Sequence, residues 1–267
     1  MDWYVVVIGC LLAGASIGFV GGVLGIGGGL LAIPLLGLVF GMNQQLAQGT
    51  ALIMVLPAVL MTVRKYNQHD RIDLKAAALG AATSIIFTWA GARIALGADP
   101  SFLRRIYAAF VLGIAVFYMV QAWRQSRRLA AASGKSSRTK AAAQRVLKKR
   151  HPVWYALVGC LAGLTGGIFG VGGSVVIVPL LTTFFGLTQT RAQGLGLTMI
   201  IPGIMVALAT YAGHGQVDWL VGIPMALGSI LLVPYGVRLA YSLPEPRLKL
   251  IFACMLLVIM VLLLLNS

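Results

Sequence analysis

Long apolar runs, separated by short polar breaks, fill this chain from one end to the other. The first extends from about Trp3 to Leu24. The second starts inside a glycine cluster and ends near Gly41; its solid apolar part is some fourteen residues. A helix needs about 20 apolar residues to cross a bilayer, so this segment is short for a full span. A third run covers about Leu46 to Val63, and a polar, basic stretch follows from Arg64 to Lys75. Runs four and five cover about Leu74–Leu96 and Phe102–Trp123. After a polar linker the scheme returns, at about Val153–Phe169, Gly172–Gly186, Thr188–Tyr211, Trp219–Tyr241 and Leu248–Leu265. The pattern predicts an all-α integral membrane protein with discontinuous helices at the glycine clusters. The expected divisions are an N-terminal repeat over 1–124, a linker over 125–151 and a C-terminal repeat over 152–267.

The recurrence is written in the residues as well as in the hydropathy. Sliding Gly18–Pro57 by 145 residues lays it without a gap on Gly163–Pro202, with 18 of 40 positions identical. The shared residues include Gly21/Gly166, Gly22/Gly167, Gly25/Gly170, Gly27/Gly172, Gly28/Gly173, Pro34/Pro179, Gln44/Gln189, Gln48/Gln193 and Pro57/Pro202. Glycine is costly inside a helix, so a run kept in both copies points to a task for the backbone. With about five segments per half (eight to ten spans), two homologous halves sit upside down relative to one another. Charge agrees. Arg64, Lys65, Arg71 and Lys75 have Ala209, Thr210, Gln216 and Leu220 as their counterparts, while Tyr66/Tyr211, His69/His214 and Asp73/Asp218 are kept. The positive-inside rule then places the first loop and the linker in the cytoplasm and both chain ends outside. Arg191, in place of Leu46, agrees; Arg104 and Arg105 fall on the other side, in mild disagreement. This parity also holds if the first two segments of each half form a re-entrant pair. Inverted repeats with short, glycine-interrupted segments at matching positions are the mark of a secondary transporter with a site near the midplane.

Composition narrows the class. Of 267 residues 59% are hydrophobic and 10% charged, and the mean hydropathy is +0.92, too apolar for a soluble domain. The acidic start MDWYVVV does not read as a cleavable signal. The net charge of +15 is concentrated: ten of 21 Lys and Arg lie between Arg124 and Arg150, with no acid among them. That is a cytoplasmic loop against lipid headgroups rather than a nucleic-acid surface. The expected partners are the bilayer and a small anionic substrate, with no nucleic acid; the oligomeric state is open.

Gly25, Gly27, Gly28 and Gly29, and in the second copy Gly170, Gly172, Gly173 and Ser174, each open a short helix. A helix start offers unpaired N–H groups and about half a positive charge, so it can cradle an anion. Close helix packing through small residues is the competing reading. Gln48 and Gln193, with Thr50 and Thr198 nearby, are candidate substrate contacts or interhelical bonds. Arg93 and Arg238 superpose near the ends of their segments, where they either snorkel or attract anions to the two mouths. Asp73 and Asp218 read as helix caps, His69 and His214 as loop residues, and Cys10, Cys160 and Cys254 as apolar packing. No metal-ligand spacing, catalytic constellation, cofactor motif or ATP-binding glycine loop is present, and the six acids all fall at segment ends or loops. A carboxylate relay across the membrane is therefore not expected.

The paired GGxxGxGG(G/S) motifs at Gly21–Gly29 and Gly166–Ser174, each followed by the Pro-Leu-Leu of Pro34 or Pro179 and by QGT or QGL, resemble the sulfite exporter TauE/SafE family of membrane permeases. The basic central loop fits as well. The resemblance implies a bacterial inner-membrane permease for small sulfur-containing anions such as sulfite, sulfoacetate or other organosulfonates, often acting in export. An intramembrane enzyme with Ser174 as nucleophile is the other class, but no His falls within a predicted span to act as its base, so no enzyme activity is expected. Transport of another small anion, a metabolite or a metal cation is the alternative.

Overall fold

The computed structural model describes residues 3–132 and 152–243, together with 248, 251, 254 and 255. Nine helices are delimited there, and no strand occurs among the described residues. They are α1 (Trp3–Leu24), α2 (Gly29–Phe40), α3 (Gln44–His69), α4 (Leu74–Gly97) and α5 (Pro100–Ala132) in the first half. The second half has α6 (Pro152–Phe169), α7 (Ser174–Phe184), α8 (Gln189–Gly213) and α9 (Trp219–Ser242). The run expected at Leu248–Leu265 lies mostly outside the described residues, as does linker segment 133–151. The helix α5 continues through residues 125–132, which the composition had assigned to the linker.

Local chemistry sets the boundaries. Asp73 and Asp218 cap α4 and α9 as expected: each carboxylate accepts from two N–H groups of the first turn, Lys75 and Ala76 in one half and Leu220 and Val221 in the other. Asn43 caps α3 by accepting from the Leu46 N–H. Gly41 ends α2 in the left-handed region at φ 62°, where its N–H reaches the Leu36 carbonyl.

Six described helices are long and apolar enough to cross a membrane: α1, α3, α4, α5 as far as Gln121, α8 and α9. The 12 residues of α2 and the 11 of α7 reach only about 16–18 Å at 1.5 Å per residue, roughly half a bilayer core. Neighbours show how these short helices fit. Gly27 lies against Val55 and Val59, the middle of α3, and Gly172 lies against Ile200 and Ile204, the middle of α8. The chain thus descends along α1, turns at mid-height and climbs back along α2 to the side where α3 begins. The pair α6–α7 does the same from the opposite side. Both pairs are hairpins whose turns lie level with the middle of α3 or α8.

The halves are interlocked. The main neighbour of α1 is α9, and that of α6 is α4, each a helix of the other half. Both pairs run parallel. Gly14, Gly18 and Gly22 meet Met225, Ser229 and Val233 in order; Gly159, Gly163 and Gly167 meet Gly80, Ser84 and Thr88. Along these stripes, one residue every four, the glycine side brings no side chain, and its neighbours are mainly backbone of the facing helix. A Cβ on Gly18 would stand 2.5 Å from the Ser229 Cα, and one on Gly163 would stand 2.6 Å from the Ser84 carbonyl oxygen. Backbones this close gain dispersion that lipid tails cannot match, which is how small residues bind helices inside a membrane.

Candidate functional site

At the first glycine turn Gly25, Gly27 and Gly28 hold φ of 63°, 72° and 83°; at the second, Gly170, Gly172 and Gly173 hold 67°, 74° and 74°. Successive left-handed residues are open to glycine and strained for any other type. This explains the doubled motif directly: the backbone reverses here, in the middle of the protein. The two turns touch. A Cβ on Gly29 would lie 3.4 Å from the Gly170 carbonyl oxygen and from the Val171 Cα. Neither α2 nor α7 has a side chain capping its start, so both helix starts present N–H groups towards the centre.

The glutamines cross over. Gln193 of the second half packs on Gly25, and Gln48 of the first half packs on Gly170. The Gln193 Nε2 donates to the Leu24 carbonyl at 2.6 Å, and its Oε1 accepts from the Tyr66 hydroxyl at 2.7 Å. On the other side the Gln48 Oε1 accepts from the Tyr211 hydroxyl at 2.8 Å. The symmetry then fails: the Gln48 Nε2 has no partner among the described residues, and neither has the Ser174 Oγ. Both side chains are fully buried. Tyr66 and Tyr211, kept under the 145-residue shift, are the site residues that sequence reasoning passed over. Their conserved spacing was visible, but their partners lie in the opposite half.

The remaining candidates go elsewhere. The Thr50 Oγ1 accepts from the Asp218 N–H at 2.9 Å, in the loop before α9, and the Thr198 hydroxyl donates to the Gly194 carbonyl within α8 at 2.8 Å. Arg93 donates to the His214 Nε2 at 3.1 Å and lies over the Trp89 ring. Arg238 is exposed on α9. Neither arginine reaches the turns.

The two faces of the protein differ. Beside the α3–α4 loop a vestibule of about 490 Å³ opens, with Tyr66, Arg71, Tyr155, Arg191, Gly194 and Tyr241 in its wall. On the other face the counterpart of Gly194 is Gly49, and the Gln216 carbonyl oxygen presses directly onto it. There the Gln45 Nε2 also ties α3 to the Ala98 carbonyl at 2.8 Å, and the Arg93–His214 and Thr50–Asp218 bonds complete the seal. No cluster of metal-ligating side chains occurs among the described residues.

The sequence pattern of the sulfite exporter TauE/SafE family matches residues 10–263. The chain belongs to this family. A TauE/SafE protein is a membrane transporter and not an enzyme, and the curated relatives carry matching names. A protein of Methanocaldococcus jannaschii described as a probable membrane transporter is 24% identical over 245 residues, covering 88% of this chain and 85% of its own. YunE of Bacillus subtilis, also described as a probable membrane transporter, is 24% identical over 245 residues, covering 86% and 85%. A third, from Xylella fastidiosa strain 9a5c, is 24% identical over 231 residues, covering 85% and 82%. No solved structure matches the chain.

Proposed function

We propose that this TauE/SafE transporter moves small sulfur-containing anions, such as sulfite, sulfoacetate or other organosulfonates, by alternating access, with the anion held at the meeting of the two glycine turns in a bacterial inner membrane. The observation that carries this reading is the pair of unpartnered donors there. The Ser174 hydroxyl and the Gln48 amide are buried without partners beside the uncapped start of α7. A buried donor left unmade costs about 1–3 kcal/mol, and an oxyanion would satisfy it. By this account the anion sits closer to the second turn than to the first, where both polar atoms of Gln193 already have a partner. The vestibule adjoins the basic stretch Arg64–Lys75, so the positive-inside rule makes it the cytoplasmic mouth and this conformation the inward-open one. An anion leaving an inside-negative cell gains about 2.3 kcal/mol per charge per 100 mV, which favours export without ion coupling.

The test is ligand-dependent melting of the purified protein with sulfite, thiosulfate, sulfoacetate, taurine, sulfate, chloride and divalent cations, followed by flux in proteoliposomes. A ligand at a hundred times its Kd adds about 2.7 kcal/mol. Sulfite or a sulfonate should stabilise the protein, and Ser174→Ala with Gln48→Leu should remove the effect. Stabilisation by divalent cations alone would overturn the proposal.

A further inference from the structure

We propose that the vestibule is itself a binding site, distinct from the glycine turns, for an organic anion that carries an apolar body on a sulfonate or carboxylate head. The inference builds on the anion reading above but rests on different residues.

The first argument is volume. A space of about 490 Å³ falls within the roughly 300–1,000 Å³ of pockets that enclose organic ligands, and a bare inorganic oxyanion would leave most of it to water. The second is the wall. Ile72, Leu187 and Leu195 line it beside the rings of Tyr66, Tyr155 and Tyr241, and the Tyr66 and Tyr241 rings pack with centroids 5.5 Å apart. A wall of this kind favours an apolar body over a hydrated ion.

The third argument is the arrangement of donors. Arg191 spends one guanidinium nitrogen on the Asp70 Oδ1 at 3.2 Å, leaving its other N–H groups available. Arg71 makes no hydrogen bond or ion pair among the described residues. Of the two acids in the lining, Asp70 is matched by Arg191, and Asp73 is engaged with the first N–H groups of α4. The balance leaves one unmatched cation, Arg71, and the spare N–H groups of Arg191, donors of the kind that hold an anionic head. A cation would find both carboxylates already engaged.

The experiment measures affinity of the full chain in lipid nanodiscs for methane-, butane- and hexanesulfonate and for benzenesulfonate, against sulfate, with empty nanodiscs subtracted. If the body is buried, affinity should rise about fourfold per methylene, the equivalent of about 0.8 kcal/mol per buried CH₂. Arg71→Gln should weaken the whole series by about tenfold and leave the slope intact. Thr190→Trp, at a partly exposed lining position, should abolish the slope without changing the melting temperature. Ser174→Ala should leave the series unchanged, whatever it does to sulfite. Affinity that stays flat along the series, or a slope that survives Thr190→Trp, would overturn the vestibule site. So would a series lost in Ser174→Ala, which would place the binding at the glycine turns. Sulfite stabilisation that is absent while the series behaves as expected would instead refute the glycine-turn reading alone.

Discussion

The same substitution, made twice in one helix, should have opposite signs. Gly9 and Gly18 both lie in α1. A Cβ on Gly9 would meet nothing within 4 Å, whereas one on Gly18 would stand 2.5 Å from the Ser229 Cα and carbonyl oxygen and 2.8 Å from its Cβ. Those neighbours are mainly backbone of α9 and cannot rotate away. An ordinary contact is near 3.5–4 Å, so α1 and α9 would have to separate by more than 1 Å. That loss spreads to Gly14 and Gly22, which rely on the same approach. Overpacking of this kind costs about 1–3 kcal/mol, and a forced separation of backbones belongs at the upper end. At Gly9 only the backbone-entropy gain of alanine remains, about 0.5–1 kcal/mol in favour of the folded helix. Thermal melting of Gly9→Ala and Gly18→Ala in one lipid environment tests this. At about 2–4 °C per kcal/mol the two variants should straddle the wild type, with Gly18→Ala lower by up to about 12 °C. Equal shifts, or a Gly18→Ala variant as stable as Gly9→Ala, would refute the claim that the stripe holds the halves together.

Tyr66→Phe should destabilise by about 1–3 kcal/mol by orphaning the Gln193 Oε1; Tyr211→Phe strips Gln48 of its one partner, and the Tyr211→Phe/Gln48→Leu pair should recover most of the loss by chemical denaturation. Gly49→Ala should prevent the Gln216 carbonyl from seating and open the sealed face, read as new reactivity of a cysteine placed at Gln216 towards a membrane-impermeant maleimide; unchanged reactivity would count against that contact as the closure. Asp99, in the exposed α4–α5 connection, has its carboxyl held below the usual range, first by the Ser101 hydroxyl and then by the Phe102 N–H. A depressed carboxylate stabilises fully above its unfolded pKa and loses that contribution as pH falls through the folded value, so the melting difference between wild type and Asp99→Asn should shrink on acidification.

Hydropathy carried the helices well because burial in lipid leaves few alternatives to a satisfied helical backbone. The limits of α1 and α4 and the two aspartate caps could be read to within a residue. The doubled glycines located the turns, since a left-handed backbone has almost no other residue available to it. What the sequence could not convey was which half each contact belongs to. A shift of 145 residues aligns Gln48 with Gln193, yet each glutamine serves the turn of the other copy. The same limit hid the tyrosines, whose hydroxyl partners lie 127 and 163 residues away. Whether short apolar segments crossed or turned back was also undetermined by hydropathy, because a re-entrant helix is as apolar as a spanning one. The vestibule escaped notice because its wall joins Asp70–Asp73 of the α3–α4 loop and residues of α8 to single residues of α6 and α9, which only the fold brings together.

The interlocked packing also has a clock in it. A ribosome makes about 5–20 residues per second. The Gly14 face of α1 therefore enters the bilayer about 10–40 s before its seat at Met225 exists, whereas α6 finds α4 already in place. Two copies of one motif thus face unequal births. The first must wait with its glycine stripe uncovered in lipid, and the second can dock on arrival. A stop placed anywhere before α9 would leave that stripe uncovered for good.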